Sequence, residues 1–197
     1  MPSKIRNYLL ILALSPLLLV NAAQAQWSLE NGASELSFVT VKADNVAEAH
    51  TFDLMSGTID NDGTVAISIE LASVNTMIDI RNERMQAMLF ETAMFPNAAI
   101  TAKVDLAAIT AMETGSSSVA ALEFSLELHG ASKSYTADVM LTRLTTGVAA
   151  TTLKPVIVTA DSFALVAGVE RLREVAGLTR ISNAVPVSFT VVFTQGN

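Results

Sequence analysis

Two histidines, a cluster of methionines and two nearby arginines are the residues of this 197-residue sequence whose types and spacing could do chemistry. His50 lies inside an alternating stretch and His129 precedes a glycine, so neither stands in a pattern that makes it a base or a zinc ligand. Cysteine is absent, and so are the Gly-x-Ser-x-Gly elbow and the His-Glu-x-x-His zinc helix. A Ser-His-Asp triad is defined by geometry and could assemble from distant residues, but nothing here nominates its members. His129 reads as a turn or strand-end residue. No enzyme is expected, and no cofactor. Asp60-x-Asp62-Gly63 resembles the start of a calcium loop, yet Val65 stands where such a loop needs glycine and Leu71 where it needs a bidentate Glu. It reads as a hairpin turn, and no metal site is expected from it. Met77, Met85, Met88 and Met94 could offer thioethers to Cu(I), a soft metal. Lacking a neighbouring His or Cys, they read better as flexible side chains capping an apolar space, and copper stays a distant alternative.

These methionines belong to the main helical candidate, Ile78 to Pro96. Thr76-Met77-Ile78-Asp79 reads as a capping box that opens the helix, and Phe95-Pro96 closes it because the residue before proline is driven out of αR. On a helical wheel Ile78, Met85, Leu89 and Thr92 share one side, with Arg81 and Met88 at its edge and Glu83 pointing away. A cation therefore borders an apolar stripe.

Around this segment the chain alternates with period two, the mark of strands with one buried face. Leu36 and Phe38 alternate with polar neighbours, and Ala49 to Ile59 reads as a second strand. Asp60 to Gly63 turns the chain into a third, where Val65, Ile67, Ile69 and Leu71 alternate with small or polar residues. Beyond the helical candidate, Ala98–Val104 and Ala107–Met112 read as strand, followed by a turn at Glu113–Ser118. Leu122, Phe124, Leu126 and Leu128 make a further strand, joined through His129–Lys133 to Tyr135–Leu144, in which Ala137, Val139 and Leu141 point inward. Pro155–Ala160 and Ser162–Leu165 are read as a strand pair, Val169–Gly177 as a short helix with Gly177 just past its end, and Val185 to Phe193 as the last strand. Pro186 suggests that this strand starts without a ladder partner.

The N-terminus reads as an address. Lys4 and Arg6 precede an apolar run from Tyr8 to Val20, and Ala23-Gln24-Ala25 is a small-x-small cleavage site, so residues 1–25 are expected to be a secretory signal peptide. The run is shorter than the ~20 residues of a spanning helix, and no stable membrane span is expected after cleavage. Without cysteine there is neither a lipid-modified N-terminus nor a disulfide framework, and a soluble periplasmic protein is the expectation. Residues 26–197 carry 10 Lys+Arg against 19 Asp+Glu, a net charge of −9, which argues against nucleic acid as a partner. They suffice for one domain.

The expected fold is all-β, a lipocalin-like antiparallel β-barrel of about eight strands with a helical insert after the third and a short helix before the last. Such a barrel is either filled by its own side chains or just wide enough for one small ligand.

Ser73-Val74-Asn75-Thr76, then Arg81-Asn82-Glu83-Arg84-Met85, Phe90 and Phe95-Pro96, then Leu126-Glu127-Leu128-His129-Gly130, then Asp161-Ser162-Phe163-Ala164-Leu165 together resemble the YceI-like family, in the family's order and over about the whole chain after the leader. The resemblance implies a periplasmic lipocalin-like barrel that holds a polyisoprenoid or similar long apolar chain. Arg84 stands where many members have His, and Ala87 where many have Ser; Lys154-Pro155-Val156 is a further departure. The differences bear on the polar end of a ligand rather than on the fold.

Magnitudes agree with a long chain. Each buried CH₂ contributes ~0.8 kcal/mol, while association costs ~4–15 kcal/mol, so about twenty buried carbons leave a usable surplus where about ten do not. Phe38, Ile67, Ile69, Leu71, Phe124, Leu126, Val139, Leu141, Phe189 and Val191 are the expected apolar wall, with Ile78, Met85, Met88 and Leu89 as the cap. A tail carries no recognition of its own, so a polar group at the mouth must orient it, and Arg81, Asn82 and Arg84 are the candidates. The arginines could equally pair with Asp79, Glu83 or a neighbouring strand and fix the helix on the barrel. The expected partner is therefore an isoprenoid- or quinone-like small molecule, with a structural or interaction module of the envelope as the alternative. A homodimer is compatible with the sequence.

Overall fold

The computed structural model describes residues 27–195, so the expected leader lies outside the described residues. Twelve strand segments form: β1 (Trp27–Leu29), β2 (Glu35–Lys42), β3 (Val46–Phe52), β4 (Met55–Ile59), β5 (Thr64–Glu70), β6 (Val74–Asn75), β7 (Asn97–Lys103), β8 (Ser117–Leu128), β9 (Ala131–Arg143), β10 (Gly147–Thr152), β11 (Val156–Thr159) and β12 (Ala184–Gln195). Every named pairing is antiparallel, and the order β1-β4-β5-β7-β8-β9-β10-β12 closes on itself because β12 also pairs with β1. The result is a closed barrel of eight staves. Four of them are broken: β1 and β2 both lie beside β12, β3 and β4 follow one another along the next stave, β5 and β6 along the one after it, and β10 and β11 both lie on the opposite flank of β12. Counted by staves, the helical insert does follow the third and α3 (Val166–Val175) precedes the last.

Alternation sets the register. Val65, Ile67 and Ile69 are buried in β5 while Ala66 and Glu70 face solvent, as a half-buried strand requires. Phe124, Ala137 and Val139 do the same across β8 and β9. The tight turn between these strands is His129-Gly130 alone, with φ of 51° and 75°, so the expected link to Lys133 shrinks to two residues in left-handed backbone.

Several expectations are corrected. Ala49–Ile59 is two segments, broken at Asp53 and Leu54, where the pairing passes from β2 and β6 on β3 to β1 and β5 on β4. Ala107–Met112 is not strand but lies in and beside α2 (Leu106–Ala111), nucleated by Asp105, whose carboxylate accepts from the Ala108 N–H at 2.9 Å. Ser162–Leu165 is a 3₁₀ turn (Ala160–Phe163) ended by Ala164 at φ 56°. β10 was not expected at all; its Gly-Val-Ala-Ala-Thr-Thr run has little large-apolar alternation to read. Pro186 is inside β12 opposite Ile157, and it lacks a partner only toward β2, whose pairing begins at Val187.

The central segment also differs. It holds α1 (Asp79–Arg84) followed by a π-helical stretch, Met85–Phe90, and ends at Glu91 in left-handed backbone, ahead of Phe95-Pro96. No side chain caps α1: Thr76 instead donates its hydroxyl to Asn82 Oδ1 at 2.6 Å, so the capping box does not form. α3 has the expected C-terminus, with Gly177 N–H donating to Glu174 and Leu178 N–H to Arg173, the paired bonds of a Schellman motif.

The π-helical stretch and α3 meet at Gly168. A Cβ there would lie 2.8 Å from the Met88 carbonyl oxygen and 2.9 Å from Leu89 Cα, both backbone atoms that cannot swing aside. Gly168→Ala is expected to cost about 1–3 kcal/mol in denaturant unfolding by forcing the two helical elements apart; an unchanged midpoint would show that they are free to separate.

Candidate functional site

The barrel is hollow. A cavity of about 370 Å³ lies toward the helical end and a second of about 350 Å³ toward the end covered by α2. Leu36, Ile100, Phe124 and Phe189 border both and form a waist between them. Each chamber falls within the range of small-molecule sites, and most of its lining residues are aliphatic or aromatic.

All ten residues of the expected wall line one chamber or the other. Phe38, Ile69, Leu71 and Leu126 face the first, Ile67, Val139, Leu141 and Val191 the second, and Phe124 and Phe189 stand at the waist. Of the expected cap, Ile78, Met85 and Leu89 line the first chamber, and Met88 does not. The π-helix explains this difference. Its i→i+5 spacing brings Phe90, rather than Met88, onto the same face as Met85 and Leu89. Met88 is half-buried, Met85 is buried, and Met77 and Met94 are 87% and 66% exposed, so the methionines occupy different environments instead of converging as a soft-metal site requires. Among the described residues no three His, Asp or Glu side chains cluster as metal ligands.

The three polar candidates part company. Arg81 lines the first chamber, but its Nη1 donates to Glu48 Oε2 at 2.8 Å and its Nη2 to the Thr76 carbonyl at 2.6 Å, which pins α1 to β3. Asn82 accepts from both the N–H and the hydroxyl of Thr76 and is not in the chamber wall. Arg84 borders the mouth and makes no ion pair among the described residues.

Sequence reading missed the polar stripe beneath Arg81. On β2 the inward positions run Leu36, Phe38, Thr40, Lys42, and on β3 they run Phe52, His50, Glu48, all lining the first chamber. Apolar depth thus grades into charge at the mouth. The same two-residue alternation that identified Leu36 and Phe38, carried four residues further, would have found Thr40 and Lys42. Lys42 shares the Glu48 carboxylate with Arg81 at 2.5 Å. Its hydrogen bond, with the two positive charges, holds the Glu48 carboxyl below the usual range against partial desolvation. His50 is 4% exposed and shares a hydrogen bond between Nε2 and Thr40 Oγ1 at 3.0 Å. Burial first, and the Arg81 charge second, push its pKa down, so the ring is neutral.

Other motif residues bolt the cap in place. Glu91, at the end of the π-helix, bonds His129 at 2.9 Å through one oxygen and Arg171 of α3 at 3.2 Å through the other. Phe95 packs on the His129 ring with centroids 4.3 Å apart and also lies under Gly130. His129 is therefore both a turn residue and a tie between the barrel and its lid.

An eight-stranded, closed antiparallel barrel around an apolar chamber with a polar rim is the architecture of lipocalin-like binding proteins. The YceI-like domain profile matches residues 27–193, and the chain belongs to that family. It is similar to a polyisoprenoid binding domain from Saccharophagus degradans implicated in plant cell wall breakdown, at 37% identity and a TM-score of 0.86, over 88% of this chain and 100% of that one. Burkholderia cenocepacia BcnA shares the fold at 16% identity and a TM-score of 0.64, over 83% of this chain and 98% of that one. So does a Campylobacter jejuni YCEI protein at 16% and 0.53, over 75% of this chain and 85% of that one. No curated protein matches the sequence.

Arg81→Met keeps the stem and removes both charged hydrogen bonds. Because the pair is partly exposed and Glu48 retains Lys42, the expected loss is about 1–2 kcal/mol of unfolding free energy, and an unchanged stability would refute the bracing role. His50 generates a pH dependence. Below about pH 6.5 the unfolded chain binds a proton on His50 that the folded ring resists, so this contribution is full above that value and is lost as pH falls through the depressed pKa. The slope of melting temperature against pH between about 7 and 5 is expected to flatten in His50→Phe.

Proposed function

We propose that this chain is a periplasmic binding protein that carries a long apolar small molecule of the isoprenoid class along its barrel axis. The observation that carries this reading is the pair of apolar chambers in series, meeting at a waist of four apolar side chains. A compact ligand would occupy one chamber and leave the other without contacts, whereas an extended chain lies through both. The relative at 37% identity is described as a polyisoprenoid binding domain, which supports the same ligand class here. The reading is one of binding. The apolar run with its small-x-small site at residues 23–25 supports export, and no helix among the described residues is long and apolar enough to cross a membrane.

Native mass spectrometry of the protein recovered from cells making polyisoprenoids tests both halves. The expected spectrum shows a chain beginning at Gln26 with a noncovalent long-chain lipid that organic solvent extracts. A chain beginning at Met1 would overturn export. A lipid-free protein that also fails to take up an added polyprenol would overturn the carrier reading.

A further inference from the structure

Only part of the first chamber's mouth is polar. Ile78 and Ile80, on and beside α1, and Val175, at the end of α3, line the chamber and yet are 46%, 52% and 41% exposed. Side chains that border an interior space and meet solvent at once form its rim, and this stretch of rim is apolar. Met77, next to Ile78, is 87% exposed, and it is held there by a turn: its N–H donates to Asn75 Oδ1 at 3.0 Å, and Thr76 beside it is tied to Asn82. Of the twelve large apolar side chains exposed among the described residues, five fall in the short segments 42–48, 77–84 and 173–182 that supply the mouth, so they are concentrated there instead of scattered. Charge follows the same division. Those three segments carry five Lys and Arg against five Asp and Glu, so the net −9 of residues 26–197 resides wholly on the rest of the chain.

We propose that this rim docks on the surface of a phospholipid bilayer, with Met77, Ile78, Ile80 and Val175 at the acyl-chain boundary and Arg84 among the head groups, so that the chamber opens directly onto lipid. The docking rests on the rim itself; its use in loading and unloading a ligand rests on the carrier reading above. An acidic protein is repelled by anionic head groups everywhere except where its own charge is balanced, and the mouth is that place. Arg84 borders the mouth without an ion pair among the described residues and is available to a phosphate. The apolar residues surround an opening instead of making a closed face. A protein seated on them would shut the chamber, whereas a bilayer continues its apolar interior. A long apolar chain crossing water between membrane and barrel would expose its whole length to solvent, and a mouth seated on lipid removes that step.

The test is flotation of the purified protein with vesicles of phosphatidylethanolamine and phosphatidylglycerol, in which wild type is expected to rise with the lipid. Met77→Glu and Ile80→Glu, both at positions more than half exposed, are each expected to lower the vesicle partition coefficient about tenfold, because each sets a charge where an apolar side chain enters the bilayer. Val119→Glu, at an exposed apolar position on β8 next to the second chamber's Ser118, is expected to leave it within about twofold. Wild type that stays in the aqueous phase overturns the docking, as does a loss that Val119→Glu shares equally or that neither rim variant shows. Self-association of the lipid-free protein that Met77→Glu abolishes, without flotation, assigns the rim to a second copy and overturns the bilayer. Uptake of geranylgeraniol from dilute solution without vesicles separates this proposal from the carrier reading. A protein that takes up the prenol and does not float loses the docking face alone; one that floats and takes up no prenol loses the carrier reading alone.

Discussion

Closure by the last strand is the constraint on which the rest depends. β12 pairs with β10 and β11 on one flank and with β1 and β2 on the other, so twelve residues at the end of the chain join both broken staves into a ring. Once closed, the wall satisfies its backbone hydrogen bonds around the circle and has no free edge along those staves. Such a wall does not need a filled interior to satisfy its peptide groups, which is why it can stay hollow. The apolar lining nonetheless forgoes dispersion contacts that a ligand would restore, so occupancy and stability are linked.

Holding the lid on this barrel is the work of a small set of polar and aromatic contacts. Glu91 joins the end of the π-helix to His129 on the β8–β9 turn and to Arg171 on α3, and Phe95 fills the space beneath that turn. Arg81 does the same at the other side of the mouth, tying α1 to Glu48 on β3. The segments that resemble the family in sequence are thus largely brackets. Residues that touch the chamber are ordinary Leu, Ile, Val and Phe at alternating positions, interchangeable in type and therefore inconspicuous.

The β2–β3 hairpin adds direction to an otherwise uniform wall. From Leu36 through Phe38 and Thr40 to Lys42, and from Phe52 through His50 to Glu48, the inward face passes from apolar to hydrogen-bonding to charged within a few residues of each strand. A chain with one polar end has a favourable and an unfavourable way to enter such a gradient. The charges at its outer end neutralise one another in part, and this lets Arg81 remain partly buried while leaving His50 uncharged beneath it.

Read alone, the sequence determined the strand periodicity, the inward faces of β5, β8, β9 and β12, the short helix before the last strand and the class of fold, because alternation is a local consequence of one face being buried. Turn chemistry was legible where Asp, Asn or Gly stood together, and illegible where a single Asp105 cap turned an apolar run into helix or where β10 lacked large side chains. Only the tertiary structure decided that the interior is hollow, that Arg81 finds its carboxylate 33 residues away, and that a π-helix turns Met88 out and Phe90 in. It also decided that His50 belongs to the site. Those outcomes depend on which strands become neighbours when the ring closes and on how the lid seats against them, and no window of sequence contains both partners.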